Sequence, residues 1–111
     1  MKKSNIFAYI ELSKLVEELK LAGSSDKLKE KLKAQSAYFS IIEPRYFSES
    51  LVGEWEGIVY LTKEKGTRVD EDGKVISNAI YNTIENFTTS ECQKLVEKVY
   101  EVYEKVKNEF N

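Results

Sequence analysis

Between Asn5 and Ala22 the apolar residues Ala8, Leu12, Leu15, Val16 and Leu19 recur at intervals of three and four, with Glu11, Lys14, Glu17, Glu18 and Lys20 largely opposite. This is the period of an amphipathic helix, and it predicts one over 5–22. Ser4 or Asn5 is placed to cap it, and Gly23 to end it in a left-handed conformation. Ser24 and Ser25 offer a second N-cap, and a shorter helix is expected over 26–36 with Leu28 and Leu32 inward. Asp26 in its first turn and Lys33 in its last suit the helix dipole. The turn between the two helices is short, so an antiparallel pair is expected.

The period then changes. Residues 37–43 are rich in Tyr, Phe and Ile, carry no charge before Glu43 and run into Pro44. They read as a strand, followed by a loop at Ser48-Glu49-Ser50. Residues 54–62 read as a second strand of a half-buried antiparallel sheet. Trp55, Val59 and Leu61 share one face with Gly57 between them, and Glu54, Glu56, Ile58, Tyr60 and Thr62 share the other. Residues 63–66 form a turn, 67–70 a short strand, and Asp70-Glu71-Asp72-Gly73 a tight turn in which glycine supplies a positive φ. Segment 74–87 supports two readings. Val75, Ile76, Ile80, Tyr81, Thr83 and Ile84 favour a strand by propensity, whereas Ile76, Ile80, Ile84 and Phe87 also stand at helical spacing. The hairpin turn before it and the helix cap after it tip the reading towards strand.

The last element is a helix. Thr88 with Glu91, or Ser90 with Gln93, has capping-box spacing. Leu95, Val96, Val99, Val102, Tyr103, Val106 and Phe110 then form an apolar stripe, with Glu and Lys over the rest of the surface. Together these elements predict a single α+β domain over 1–111: two N-terminal helices, a small antiparallel sheet, and a long C-terminal helix packed across it.

Composition narrows the setting. Aromatic residues make up 12% and the net charge is -2, which favours a folded chain over a disordered one. No run approaches the ~20 apolar residues of a membrane span. The lysines after Met1 resemble the start of a signal peptide, but the apolar stretch behind them is too short and is broken by Glu11. Cys92 is alone, so no intrachain disulfide forms and a reducing, cytoplasmic setting is expected, in which the sequon Asn86-Phe87-Thr88 has no consequence. Arginine occurs only at Arg45 and Arg68 beside many Lys, Asn, Ile and Tyr, the bias of an AT-rich genome.

Chemistry is sparse. There is no histidine, which removes the commonest general base and metal ligand and every Ser-His or Cys-His site. Cys92 falls in the first turn of a helix, where the dipole lowers a thiol pKa. The weightier reading is a small, partly buried helix residue. Glu54 and Glu56 flank Trp55 and would share one strand face, a spacing that admits carboxylate chemistry or a cation. An ordinary solvent-facing strand outweighs it. Asp70, Asp72 and Gly73 lack the later acceptors of a calcium loop and read as a turn. No glycine pattern cradles phosphate, and no cofactor or metal is expected.

Two features remain for function. Seven tyrosines are many for this length, and tyrosine is enriched at protein interfaces. Tyr60, Tyr100 and Tyr103 are the candidate interface residues. The leading expectation is a non-enzymatic protein-binding module, an inhibitor, immunity or accessory factor of a mobile element, with a homodimer open. The alternative is a winged-helix-like DNA-binding protein, because Lys27, Lys29, Lys31 and Lys33 gather on the second helix and Lys63, Lys65 and Arg68 near the following hairpin. The strand-like stretch after the second helix stands against that layout, and the mildly acidic chain argues against broad nucleic-acid binding.

Overall fold

The computed structural model of the chain describes residues 3–22 and 25–110. In order, its elements are helices α1 (Lys3–Lys20), α2 (Ser25–Ala34) and α3 (Tyr38–Ile41), a 3-10 turn (Pro44–Tyr46) and helix α4 (Glu49–Thr62). Strands β1 (Arg68–Val69) and β2 (Val75–Ser77) follow, then helices α5 (Ala79–Glu85) and α6 (Thr89–Asn108). The protein is mostly helical. This overturns the expected α+β architecture. The β-structure among the described residues is one two-stranded antiparallel ribbon, too small to form a layer for a helix to cross.

Three helices form as their periodicity predicts. α1 buries Ala8, Leu12, Leu15, Val16 and Leu19. It starts before Asn5, which is buried inside the helix rather than at its cap. Gly23 and Ser24, together with the side chains of Ser4, Ser25 and Asp26, lie outside the described parts of the molecule. α2 turns Leu28 and Leu32 inward, and Lys31 reaches back to Glu18 of α1 at 3.3 Å. α6 opens with the Thr88–Glu91 capping box: the Thr88 hydroxyl accepts from the Glu91 N–H, and the Glu91 carboxylate accepts from the Thr88 N–H. It buries Cys92, Leu95, Val96, Val99, Val102 and Val106 against α1, α2 and α4. Phe110 lies past its end, part-exposed, stacked on Tyr9 at 4.9 Å between ring centroids.

The expected strands at 37–43 and 54–62 are helical. Phe39 in α3 and Ile42 just past its end are both buried and three apart, which a strand would send to opposite faces. In α4 the buried set is Leu51, Trp55, Ile58 and Thr62, spaced by four, three and four. Alternation between Glu54, Glu56, Tyr60 and the apolar residues mimicked a strand, but the helical period carries the burial. Trp55 decides the matter. Its indole lies between Phe39 and Phe47, at 6.0 and 5.3 Å between centroids, and its Nε1–H donates to the Ile42 carbonyl at 2.6 Å. That bond also satisfies a carbonyl where α3 ends. The expected loop at 48–50 is the start of α4, where the Ser48 hydroxyl donates to Glu109 at 2.6 Å and ties this end of the helix to the far end of α6.

Segment 74–87 divides. Its beginning pairs as β2, and from Ala79 the helical spacing prevails: the Asn78 side chain caps α5 by accepting from the Tyr81 N–H, and Ile80, Thr83, Ile84 and Phe87 are buried. The tight turn before it forms as expected. The Asp70 carboxylate accepts from the N–H groups of Asp72 and Lys74, and Gly73 adopts φ 81°.

Gly53 and Gly57 lie inside α4 on its exposed side, with negative φ and no atom within 4 Å of an added Cβ. Glycine in a helix interior is less stable than alanine by roughly 0.5–1 kcal/mol. Gly53→Ala and Gly57→Ala are each expected to raise the unfolding free energy by about that amount in urea titrations. A loss of stability from either would contradict the helical assignment of 49–62.

Candidate functional site

The lysine cluster read from the sequence is brought together only in part. Lys33 sits beneath the α2–α5 junction, paired with Glu85 at 2.5 Å and Glu30 at 3.0 Å, with its ammonium over the Tyr81 ring. These carboxylates hold its pKa above the ordinary lysine value, the Glu85 bond foremost, and the same bond holds Glu85 below the ordinary carboxylate range. Lys29 donates to the Glu85 carbonyl and Lys31 to Glu18. Lys27, Lys63, Lys65 and Arg68 are exposed. Lys33 and Arg68 line one groove of about 710 Å³ with Val75, Asn78, Tyr81, Asn82 and Glu85, so a carboxylate shares its lining with the two cations. Much of the α2 charge is therefore committed to surface contacts within the chain.

The hairpin is not a basic tip either, because Asp70, Glu71 and Asp72 occupy the turn between Arg68 and Lys74. A helix does stand between α2 and the hairpin, which removes one objection to a winged-helix layout. That helix, α4, contains Glu49, Glu54 and Glu56 and no lysine or arginine. A phosphate backbone is repelled by such a surface.

Glu54 and Glu56 do not converge. Two residues apart on a helix, they point to different sides, and Glu54 is paired with Lys105 of α6 at 2.5 Å. Cys92 is buried, and burial pushes its thiol pKa up despite the nearby Lys29 charge. No group of three or more His, Cys, Asp or Glu able to hold a metal ion exists among the described residues. No helix of the described chain is long and apolar enough to cross a membrane.

The candidate interface tyrosines fall into two environments. Tyr100 and Tyr103 are half-buried against the core, Tyr100 under the Lys20 ammonium and Tyr103 stacked on Tyr9 at 6.0 Å. Burial raises the Tyr100 pKa. Tyr60 is different: 73% of it is exposed, more than any other large hydrophobic side chain of the described residues. It stands on the outer side of α4 at the rim of a groove of about 600 Å³ between α4 and α6. Gly53, Gly57, Ile58, Leu61 and Val102 form the low part of that groove, and Glu54, Lys98, Glu101 and Lys105 its charged border. Sequence reasoning singled out Tyr60 but not the two glycines beside it, because a strand assignment hides that residues 53, 57 and 60 share one helical face. A second exposed apolar patch, Ile6, Phe7 and Ile10, lies on the outer side of α1, with Phe7 edge-on to Tyr46.

Neither family models, nor curated proteins, nor solved structures yield a match to this chain.

The burial of Cys92 makes its chemistry testable. Because Cys92 is buried and burial also raises its thiol pKa, alkylation must wait for unfolding. Iodoacetamide at pH 8 is expected to leave Cys92 unmodified in native protein and to modify it fully in denaturant, read by intact mass. Rapid native labelling would show a thiol open to solvent.

Proposed function

We propose that this protein is a small, non-enzymatic, helical protein-binding module that works in the cytoplasm, as an inhibitor or accessory factor does, and docks through the outer face of α4. The observation that carries the reading is Tyr60, exposed beside two glycines and a groove. Tyrosine supplies a large amphipathic contact area at low entropy cost, and a glycine floor lets a partner approach the helix backbone closely. The groove border alternates in charge, as interface rims do. The negative charge of α4 and the internal pairing of the α2 lysines favour protein over nucleic acid as the occupant.

The test is an immobilised chain challenged with extract of its source cells, beside Tyr60→Ala, Gly57→Leu and Ile10→Ser controls. A protein identified by mass spectrometry is expected on the wild type and on Ile10→Ser, and lost from the two α4 variants. Retention indifferent to both α4 substitutions defeats the reading, as does salt-labile retention of nucleic acid in place of protein.

A further inference from the structure

The groove beside α5 carries charge that the fold does not use. Asn78, Tyr81, Asn82 and Glu85 share one face of that helix, opposite the buried Ile80, Thr83 and Ile84. They line a groove of about 710 Å³ together with Lys33 of α2 and Arg68 and Val75 of the hairpin. The hairpin is held beside α5 because Asn82 Nδ2 donates to the Gly66 carbonyl and the Thr83 hydroxyl accepts from the Lys65 N–H, both at 3.0 Å. Lys33 is paired with Glu85 and Glu30, but Lys29 donates to the Glu85 backbone carbonyl at 3.1 Å, an uncharged acceptor. Arg68 is exposed, and among the described residues its guanidinium has neither a hydrogen-bond nor an ion-pair partner. Three cations, Lys29, Lys33 and Arg68, thus stand beside two carboxylates, a local positive excess in a chain whose net charge is -2. Asp70, the next carboxylate along the hairpin, is turned to the N–H groups of Asp72 and Lys74 in its own turn.

We infer that this groove takes an acidic peptide segment of a partner, one alternating carboxylates with apolar side chains, which sets a carboxylate on Arg68 and an apolar side chain against Val75 and Tyr81. Arginine presents a planar fork of donors that matches a carboxylate bidentately, and the fork of Arg68 is unspent. Glu85 shows what the lining accepts: its carboxylate already bonds Lys33, in the place for which a ligand carboxylate competes. Apolar surface lies beside these charges, since Val75 is 62% exposed and Tyr81 40%. A small-molecule site buries most of its ligand, whereas Arg68, Val75, Tyr81 and Glu85 are all exposed, which suits a segment lying along the surface. A phosphate is less well served. The Tyr81 N–H that it would seek at the start of α5 is taken by the Asn78 side chain at 2.8 Å, and repulsion by Glu85 grows with the charge of the ligand. The groove shares no lining residue with the one between α4 and α6, so binding here is independent of Tyr60.

The test is fluorescence anisotropy of a rhodamine-labelled peptide alternating glutamate and valine, titrated with the full chain at low salt. The expected dissociation constant is on the order of 100 μM. Arg68→Glu should weaken binding at least about ten-fold, through the lost fork and the added repulsion. Glu85→Gln should strengthen it roughly 3- to 10-fold, because it removes the carboxylate that competes for Lys33. Lys107→Glu changes the charge as much as Arg68→Glu does but lies near the far end of α6, so it should leave binding within about two-fold, as should Tyr60→Ala. A peptide alternating glutamate and serine should bind more weakly, having no apolar side chain for Val75 and Tyr81. All the substituted residues are exposed, and far-UV circular dichroism checks that each variant folds. No binding at millimolar chain overturns the inference, as does equal binding of the serine peptide. So does a loss on Lys107→Glu equal to that on Arg68→Glu, or a Glu85→Gln variant that binds no better than the wild type. Tighter binding of a single-stranded oligonucleotide than of the glutamate–valine peptide overturns it too, and gives the groove to phosphate.

Discussion

The burial of the α6 stripe is the interaction on which the other elements depend. Leu95, Val96, Val99, Val102 and Val106 form a continuous apolar ridge that α1, α2 and α4 all pack against. Each fully buried side chain of this kind contributes ~1.5–3 kcal/mol. None of the three helices could keep its own apolar stripe dry without that ridge. α2 is the clearest case: among its described side chains, Leu28 and Leu32 are the buried large ones. A helix so short is marginal alone, and tertiary packing holds it. The ridge is fixed at both ends, by the Thr88–Glu91 capping box and by the Ser48–Glu109 hydrogen bond.

The second half of the core is organised around Trp55 rather than α6. Its indole fills the space between α4 and the 39–47 segment, and its hydrogen bond to Ile42 spares a buried polar group. That bond explains why a segment with little regular structure is nonetheless placed. The hairpin and α5 are attached more lightly, through hydrogen bonds from Lys65 to Thr83 and from Asn82 to Gly66 and through the exposed Lys33–Glu85 pair. Glu85 has a depressed folded-state pKa, so the stabilisation from that pair exists above the ordinary glutamate pKa and fades as the pH falls through the lower folded value. Exposure and screening keep that contribution small.

α1, α2 and α6 were legible in the sequence because each pairs an apolar stripe with charges on the opposite side, so pattern, propensity and capping agree. α3 was misread because its apolar run has no polar face to reveal a period. The helical part of 74–87 could be seen in the spacing of Ile80, Ile84 and Phe87, and the Asn78 cap was the missing signal, since it marks a helix start that propensity alone obscured. The basic cluster was legible as residues but not as a surface. Whether Lys33 faces solvent or Glu85 depends on where α5 folds back, and local pattern holds no information about that.

α4 was misread for a different reason, and the reason bears on its role. A solvent-facing helix normally shows good helix formers and charges on its outer side. α4 shows Gly53, Gly57 and Tyr60 there, two poor helix formers and an aromatic ring. With the glycines interrupting that outer signal, the alternation of Glu54, Glu56 and Tyr60 with apolar residues looked like a strand. Nothing within the protein needs those glycines: their φ values are ordinary and no neighbour crowds them. The helix accepts a loss of roughly 0.5–1 kcal/mol at each without any gain inside the fold. Local rules broken with no internal compensation are expected where a surface serves something outside the chain. The positions that defeated the sequence reading are therefore those of the face we propose as the docking surface, and two glycines beside an exposed aromatic ring are common to both.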